Sequence, residues 1–178
     1  MTNILIVAAF IIAIALLFWL DKKGKNEKSE AERIYNEIFK IFNSVRWGMT
    51  LGELRGIFSE KEFVTSEESG EVMGTGYMDK LNGQDIFISF YFPKGNEDRL
   101  IRTDFYILGM PAKELDLIFN KFTEKHGAPF FENGAEQKSS LWDLGNSILT
   151  VEGTEEQEFQ IQLWSKEFYN KINKETKI

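Results

Sequence analysis

The sequence predicts an α+β fold: an N-terminal transmembrane helix, then tandem helix-plus-three-strand units forming an antiparallel sheet covered by helices. Three observations lead to this prediction. An unbroken apolar run extends from Ile4 to Leu20. The pair Asn82-Gly83 separates two alternating segments, as in a hairpin whose turn needs positive φ at both central residues. An order of one helix and three strands occurs twice, about sixty residues apart, which favours the α+β class.

The first twenty residues are long enough to cross a bilayer once. Met1 to Leu20 carries no charged side chain, and twenty helical residues span roughly 30 Å, the thickness of the hydrocarbon core. A cleaved signal peptide is the alternative, with Ala13-Ile14-Ala15 as its cleavage site, but no Lys or Arg precedes the apolar run. A buried core helix would normally show a polar face.

Lysines that follow the apolar run predict its orientation: Lys22, Lys23, Lys25 and Lys28. Cationic flanks stay in the cytoplasm, which places the N-terminus outside and the large domain inside. The sequence therefore predicts a single-pass protein of the inner (cytoplasmic) membrane with a cytoplasmic domain. Export of that domain is the alternative, because long domains can be translocated despite such a charge bias.

The composition excludes several classes of function. With 21 basic and 28 acidic residues the formal charge is −7, so nucleic acid, which binds to basic surfaces, is not an expected partner. The chain has no cysteine, which excludes disulfides, thiolate metal sites and cysteine nucleophiles. We expect no cofactor and no metal site. The expected partners are the membrane and another protein or envelope component.

The pattern along the chain predicts three regions: an anchor at 1–20, a charged linker at 21–28 and a soluble α+β domain at 29–178. The two halves of this domain span about 47–109 and 110–167. Ser59 to Gly70 is predicted to be an acidic loop. The predicted strands are about Thr75 to Leu81, Gln84 to Phe92, Leu100 to Leu108, Ser139 to Leu144, Ser147 to Glu152 and Glu158 to Trp164.

Local signals predict where the helices begin and end. Ser29 with Glu32, and Thr50 with Glu53, have the spacing of capping boxes. Gly52 and Gly56 either weaken the second helix, each by about 1 kcal/mol relative to alanine, or mark the close approach of a neighbouring element. A third helix begins near Pro111 and ends at Gly127, and a short fourth helix begins at about Ser165.

One segment resembles a known family. The stretch Val45-Arg46-Trp47-Gly48-Met49-Thr50-Leu51-Gly52-Glu53-Leu54 is similar to the Gly-Met-Thr entry of small bacterial envelope domains with the beta-lactamase-inhibitor-protein-like fold, which include the small lipoprotein of the outer-membrane assembly machine. Lys125-His126-Gly127-Ala128-Pro129, followed by strands from Trp142 to Trp164, also resembles this pattern. The resemblance covers the layout from Val45 to Lys166.

The resemblance implies a helix-plus-sheet domain that binds other proteins and has no catalytic centre. This chain departs from the lipoproteins because it has no cysteine for lipid attachment. An outer-membrane location therefore does not carry over, and a shared fold does not by itself give function.

Few residues are candidates for chemistry. His126 is the only histidine, and it is interpreted as a polar residue favoured in the last turn of a helix rather than as a general base. Two acidic clusters lack the spacing of a calcium loop and are interpreted as solvated: Glu67, Glu68 and Glu71, and Glu152, Glu155, Glu156 and Glu158. The stretch from Gly70 to Gly76 lacks the lysine of a phosphate loop. We therefore predict no catalytic residue.

One sheet face is the candidate site. The register set by the Asn82-Gly83 turn pairs Met78 with Phe87. One alternating set then faces the helices: Ile86, Ile88, Phe90 and Phe92. The opposite face carries the candidate interaction residues beside Arg102 and Asp104: Met78, Phe87, Tyr91 and Tyr106. Coverage of this face by the first helix or by the second half of the domain is the alternative.

These observations favour a single-pass, membrane-anchored protein-interaction domain over an enzyme. The alternative is a membrane-tethered enzyme with a carboxylate-based site, using acids such as Asp79, Asp85 and Asp104. A purely structural tether is the third hypothesis.

Overall fold

A computed structural model describes residues 20, 22–24, 30–68, 72–81, 83–94, 99–109, 112–133, 137–154 and 158–175. The predicted anchor lies outside these residues, apart from Leu20, and of the predicted linker only residues 22–24 are described, as helix. In the part of the chain that the structure describes, no helix is long and apolar enough to cross a membrane.

The α+β class is confirmed. From residue 30 onward the described chain forms helices α1 to α4 and strands β1 to β8. In chain order these are α1 (30–44), α2 (Leu51–Ile57), β1 (Val64–Glu68), β2 (Val72–Leu81), β3 (Gln84–Pro93), β4 (Arg102–Leu108), α3 (Ala112–His126), β5 (Phe131–Asn133), β6 (Gln137–Asp143), β7 (Ser147–Thr154), β8 (Glu158–Ser165) and α4 (Lys166–Glu175).

The strands form one antiparallel sheet with the order β1-β2-β3-β4-β8-β7-β6-β5. Each half of the chain contributes four consecutive strands, and the halves join where β4 pairs with β8. The prediction of three strands per half missed β1 and β5, which are the two edge strands. The interpretation of Ser59 to Gly70 as a loop was wrong over Val64–Glu68, where a polar sequence pairs in full with β2.

One face of the sheet, called here the helix face, packs against α1, α2 and α3. Phe42 of α1 meets Phe105 edge-on, with ring centroids 5.0 Å apart. Phe119 of α3 meets Phe159 edge-on, and Phe58, just after α2, packs at a tilt against Phe90. As predicted, one alternating set of β3 is fully buried on this face: Ile86, Ile88, Phe90 and Phe92.

The capping box of α2 is confirmed. The Glu53 amide donates to Thr50 Oγ1 at 3.2 Å, and the Thr50 amide donates to Glu53 Oε2 at 2.7 Å. The glycines of this helix do not mark a close approach, because a Cβ at Gly56 would meet nothing within 4 Å and one at Gly52 would make only ordinary contact with Thr50. The cap and the burial of Leu54 therefore hold this seven-residue helix despite its glycines.

His126 joins α1 to α3. It lies in the last turn of α3, half-buried, where its Nε2 shares a 3.0 Å hydrogen bond with the Tyr35 hydroxyl and its ring stacks on Phe39. Glu32 of α1 pairs with Lys121 and with Lys125, the latter at 3.3 Å. Burial lowers the pKa of His126. The environment thus favours the neutral ring, and burial outweighs the benefit that the helix end gives to a charged one.

Stability should therefore fall as the pH drops through the range in which a free histidine titrates. In the unfolded chain His126 takes up a proton near its ordinary pKa of 6.5, whereas in the folded chain burial lowers that pKa. Protonation therefore favours unfolding. We expect the free energy of unfolding to decrease between about pH 7 and pH 5.5. His126→Gln should flatten this dependence in urea titrations, since the chain has no other histidine. An unchanged slope in the variant would contradict the assignment.

Candidate interaction face

The four sequence-predicted residues share the sheet face opposite the helix face, called here the second face. Met78 pairs with Phe87, and Phe87 pairs with Tyr106, in the predicted register. Tyr91 lies four residues beyond Phe87 and pairs with Arg102. Because directly paired residues of antiparallel strands point to the same side, all four side chains lie on this face.

The four residues differ in exposure. Met78 is 59% exposed, whereas Phe87 and Tyr106 are half-buried. Tyr91 is only 4% exposed, because the Arg102 guanidinium lies 3.7 Å from its ring centre. A molecule approaching this face would therefore meet Met78, Phe87 and Tyr106 rather than the buried Tyr91.

Helix α4 covers only one side of the second face. Tyr169 of α4 contacts Trp164 of β8 edge-on, with ring centroids 5.9 Å apart. Trp164 pairs with Arg102 on one side and with Ile148 on the other, so it belongs to the second face. The described helices leave the side formed by β1, β2 and β3 uncovered.

An apolar strip crosses this uncovered side. Val64 of β1, which is 59% exposed, pairs with Gly76, the neighbour of Met78 on the same face of β2. Gly76 has no side chain, and the Phe87 ring lies across it, with Cζ only 2.9 Å from where a Cβ would be. Val64, Met78 and Phe87 thus form one surface, the apolar strip. Sequence reasoning missed Val64 because β1 was not predicted.

A buried carboxylate lies beside the strip. Asp104 is 0% exposed, and Arg102 Nε lies 3.0 Å from its Oδ1. Its Oδ2 accepts from the Tyr106 hydroxyl at 3.1 Å and from the side-chain amides of Gln160 and Gln162 at 3.2 and 3.4 Å. These groups, supplied by β4 and β8, surround the charge with donors.

The network continues outward across β8 and β7. Gln162 Oε1 accepts from Thr150 Oγ1 and from Trp164 Nε1, each at 3.0 Å. The Arg102 guanidinium also lies 4.6 Å from the Trp164 ring, opposite its contact with Tyr91, so two aromatic rings flank the cation. The network includes Tyr106, which is the strand partner of Phe87 in the apolar strip.

The tyrosine in this network is held as a hydrogen-bond donor. Burial, and then the neighbouring Asp104 carboxylate, raise the pKa of Tyr106 above its ordinary value. The hydroxyl therefore keeps its proton near neutral pH. A protonated tyrosine and a carboxylate surrounded by donors make a rigid polar support for the sheet.

The three carboxylates considered for an enzymatic site do not come together. Asp79 pairs with Lys61 at 2.7 Å and lies on the helix face, opposite Ile86. Asp85 pairs with Lys80 at 2.6 Å on the second face. Asp104 is far from this pair, because its strand partner Ser89 lies about 14 Å along β3 from Asp85. Each acid thus has its own cation, and no two of them flank a common space.

The predicted acidic clusters lie almost entirely outside the part of the chain whose side chains the structure describes. Of the predicted solvated clusters, only the Glu152 side chain belongs to that part. Among the residues that the structure describes, no group of three or more histidine, aspartate and glutamate side chains could hold a metal ion.

The fold and the second face together define the class of this protein: an α+β domain with one eight-stranded antiparallel sheet and an apolar strip on a partly uncovered face. No family model and no curated protein matches the chain. Among solved structures, the chain is similar to a DUF4309 family protein, YjgB, from Bacillus subtilis. The two chains are 13% identical, with a TM-score of 0.43, over 78% of this chain and 97% of the other.

Removal of the buried carboxylate should destabilise the domain strongly. Asp104→Ala leaves Arg102 and three neutral donors without their acceptor, and breaking a buried ion pair from one side costs about 3–5 kcal/mol. The free energy of unfolding in urea at pH 7 is the measurement. Asp85→Ala is the matched control, because Asp85 and Lys80 are about two-thirds exposed and should contribute less than about 1 kcal/mol. Equal losses for both variants would contradict the role of the network.

Proposed function

We propose that this chain is a single-pass membrane protein whose cytoplasmic domain binds another protein through the apolar strip. The observation that carries the proposal is the exposure of Val64 and Met78, 59% each, on a sheet side that no described helix covers. Contiguous apolar surface of this kind on a sheet is a typical feature of interaction sites. The ordered network beside it supports the proposal, because a preorganised surface loses less entropy on binding.

The charge of the chain indicates the chemistry of the partner. The formal charge of −7 lies entirely beyond Leu20. Glu60 and Glu62 are exposed immediately before β1, at the border of the strip. A partner that presents an apolar surface bordered by lysine or arginine would match both the strip and its acidic border.

The membrane anchor rests on the sequence. Ile4 to Leu20 is apolar throughout, and four lysines follow it, which favours insertion with the domain in the cytoplasm of a bacterial cell. Recovery of the full-length chain in the supernatant after high-speed centrifugation of a cell lysate would refute this part of the proposal and leave the binding face to be judged separately.

Cross-linking in cells tests the face. A photo-reactive amino acid at position 78 of the full-length chain should give one discrete cross-linked protein, and the same amino acid at position 57 should not. Ile57 is the matched control, because it is 45% exposed but lies on α2, at the helix face.

Substitution of a residue of the apolar strip by lysine provides a second test of the binding face. Val64→Lys should abolish the product formed at position 78, because a lysine there repels a basic partner and interrupts the apolar surface. The variant should keep the urea stability of the parent chain, since Val64 is exposed. Absence of a product at position 78, or equal products at positions 57 and 78, would refute the proposed face.

A further inference from the structure

A cleft of about 510 Å³ opens between the C-terminal end of α1 and the start of β7, on the helix side of the sheet and away from the apolar strip. Of the ten described residues that line it, six are apolar, and among these Phe42, Val45 and Leu163 are each less than 9% exposed. The volume lies within the range of about 300–1,000 Å³ that small-molecule sites occupy. Val64, Met78 and Phe87 of the apolar strip do not line this cleft.

Trp47 forms one wall of the cleft and is held in place. Its indole Nε1 donates to Ser147 Oγ at 2.9 Å, and Ser147 Oγ donates to Asn146 Oδ1 at 3.0 Å. The following residue, Gly48, has φ +81° and donates its amide to the Leu100 carbonyl at 3.1 Å. Side chain and backbone therefore fix the wall before any ligand arrives, which lowers the cost of binding.

Four polar side chains are among the described residues that line the cleft: Asn43, Arg46, Asn146 and Ser147. Arg46 is the one charged side chain among the described lining residues, and it is exposed at the rim. Asn43 and Asn146 are also exposed among the described lining residues. Asn146 Oδ1 accepts from Ser147, and the NH₂ groups of both asparagines can donate to a ligand. Among the residues that the structure describes, no acidic side chain lines the cleft, although the chain as a whole has a formal charge of −7. A guanidinium beside amide donors matches a carboxylate.

We propose that this cleft binds a small aromatic carboxylate. The aromatic ring would lie between Trp47 and Phe39, the aromatic lining residues that are only half-buried, and the carboxylate would meet Arg46 at the rim. Aromatic walls favour a flat ring by offset or edge-on packing, and the planar guanidinium favours a carboxylate over a neutral head group. The site is independent of the apolar strip, so either proposal can fail alone.

Fluorine NMR of the full-length chain in lipid nanodiscs tests the proposal. The chain has four tryptophans, so labelling with 5-fluorotryptophan gives a small set of resonances, and Trp47→Phe assigns the one in the cleft. 2-Naphthoate is the probe, and its neutral isostere 2-naphthamide is the control ligand. We expect saturable shifts of the Trp47 resonance with 2-naphthoate, and binding of 2-naphthamide weaker by at least about fivefold.

Two arginine variants separate the site from general charge effects. Arg46→Gln should weaken 2-naphthoate binding by at least about fivefold, and Arg46→Lys should recover part of the loss. Arg33→Gln makes the same charge change on the exposed surface of α1, about 16 Å from the C-terminal end of that helix, and should leave the affinity unchanged. Trp19, in the predicted anchor, reports partition of the probe into lipid.

Three results would overturn the proposal. The first is a shift confined to Trp19, or no saturable shift of the Trp47 resonance. The second is equal affinity for 2-naphthoate and 2-naphthamide, which would show that the cleft does not recognise the carboxylate. The third is an equal loss of affinity for 2-naphthoate in Arg46→Gln and Arg33→Gln, which would show that the net charge of the chain, and not Arg46 itself, determines binding.

Discussion

The pairing of β4 with β8 is the constraint on which the rest of the structure depends. It joins the two four-stranded halves into one sheet, from Arg102 opposite Trp164 to Leu108 opposite Glu158. The buried Asp104 lies within this junction, and its donors come from both strands. A buried carboxylate is costly unless donors surround it, so the network favours one register between the halves over any slipped alternative.

The same junction determines the two surfaces of the sheet. On the helix face, α1, α2 and α3 pack over strands from both halves. On the second face, α4 follows β8 directly and contacts the β7 and β8 side, which leaves the apolar strip open at the opposite side. Trp47, in the connection between α1 and α2, reaches across to Ser147 of the second half. The cleft and the strip therefore both depend on the halves being joined in this register.

Local signals predicted much of this fold, and non-local pairing accounts for what they missed. The Asn82-Gly83 turn predicted the register of Met78 opposite Phe87, because a two-residue turn leaves a hairpin little freedom. Strands β1 and β5 were missed because they are short edge strands whose sequences do not alternate clearly. The burial of Asp104 was not predictable, since it depends on Gln160 and Gln162 of β8, more than fifty positions away.

Native-state hydrogen exchange on the full-length chain tests the central claim most directly. If the pairing of β4 with β8 makes the two halves one cooperative unit, amides in the middle of both strands, such as those of Phe105 and Ile161, should exchange only through global unfolding and with the same free energy. Exchange of the β5–β8 half at a clearly lower free energy than the β1–β4 half would show that the halves open separately. That result would contradict the account.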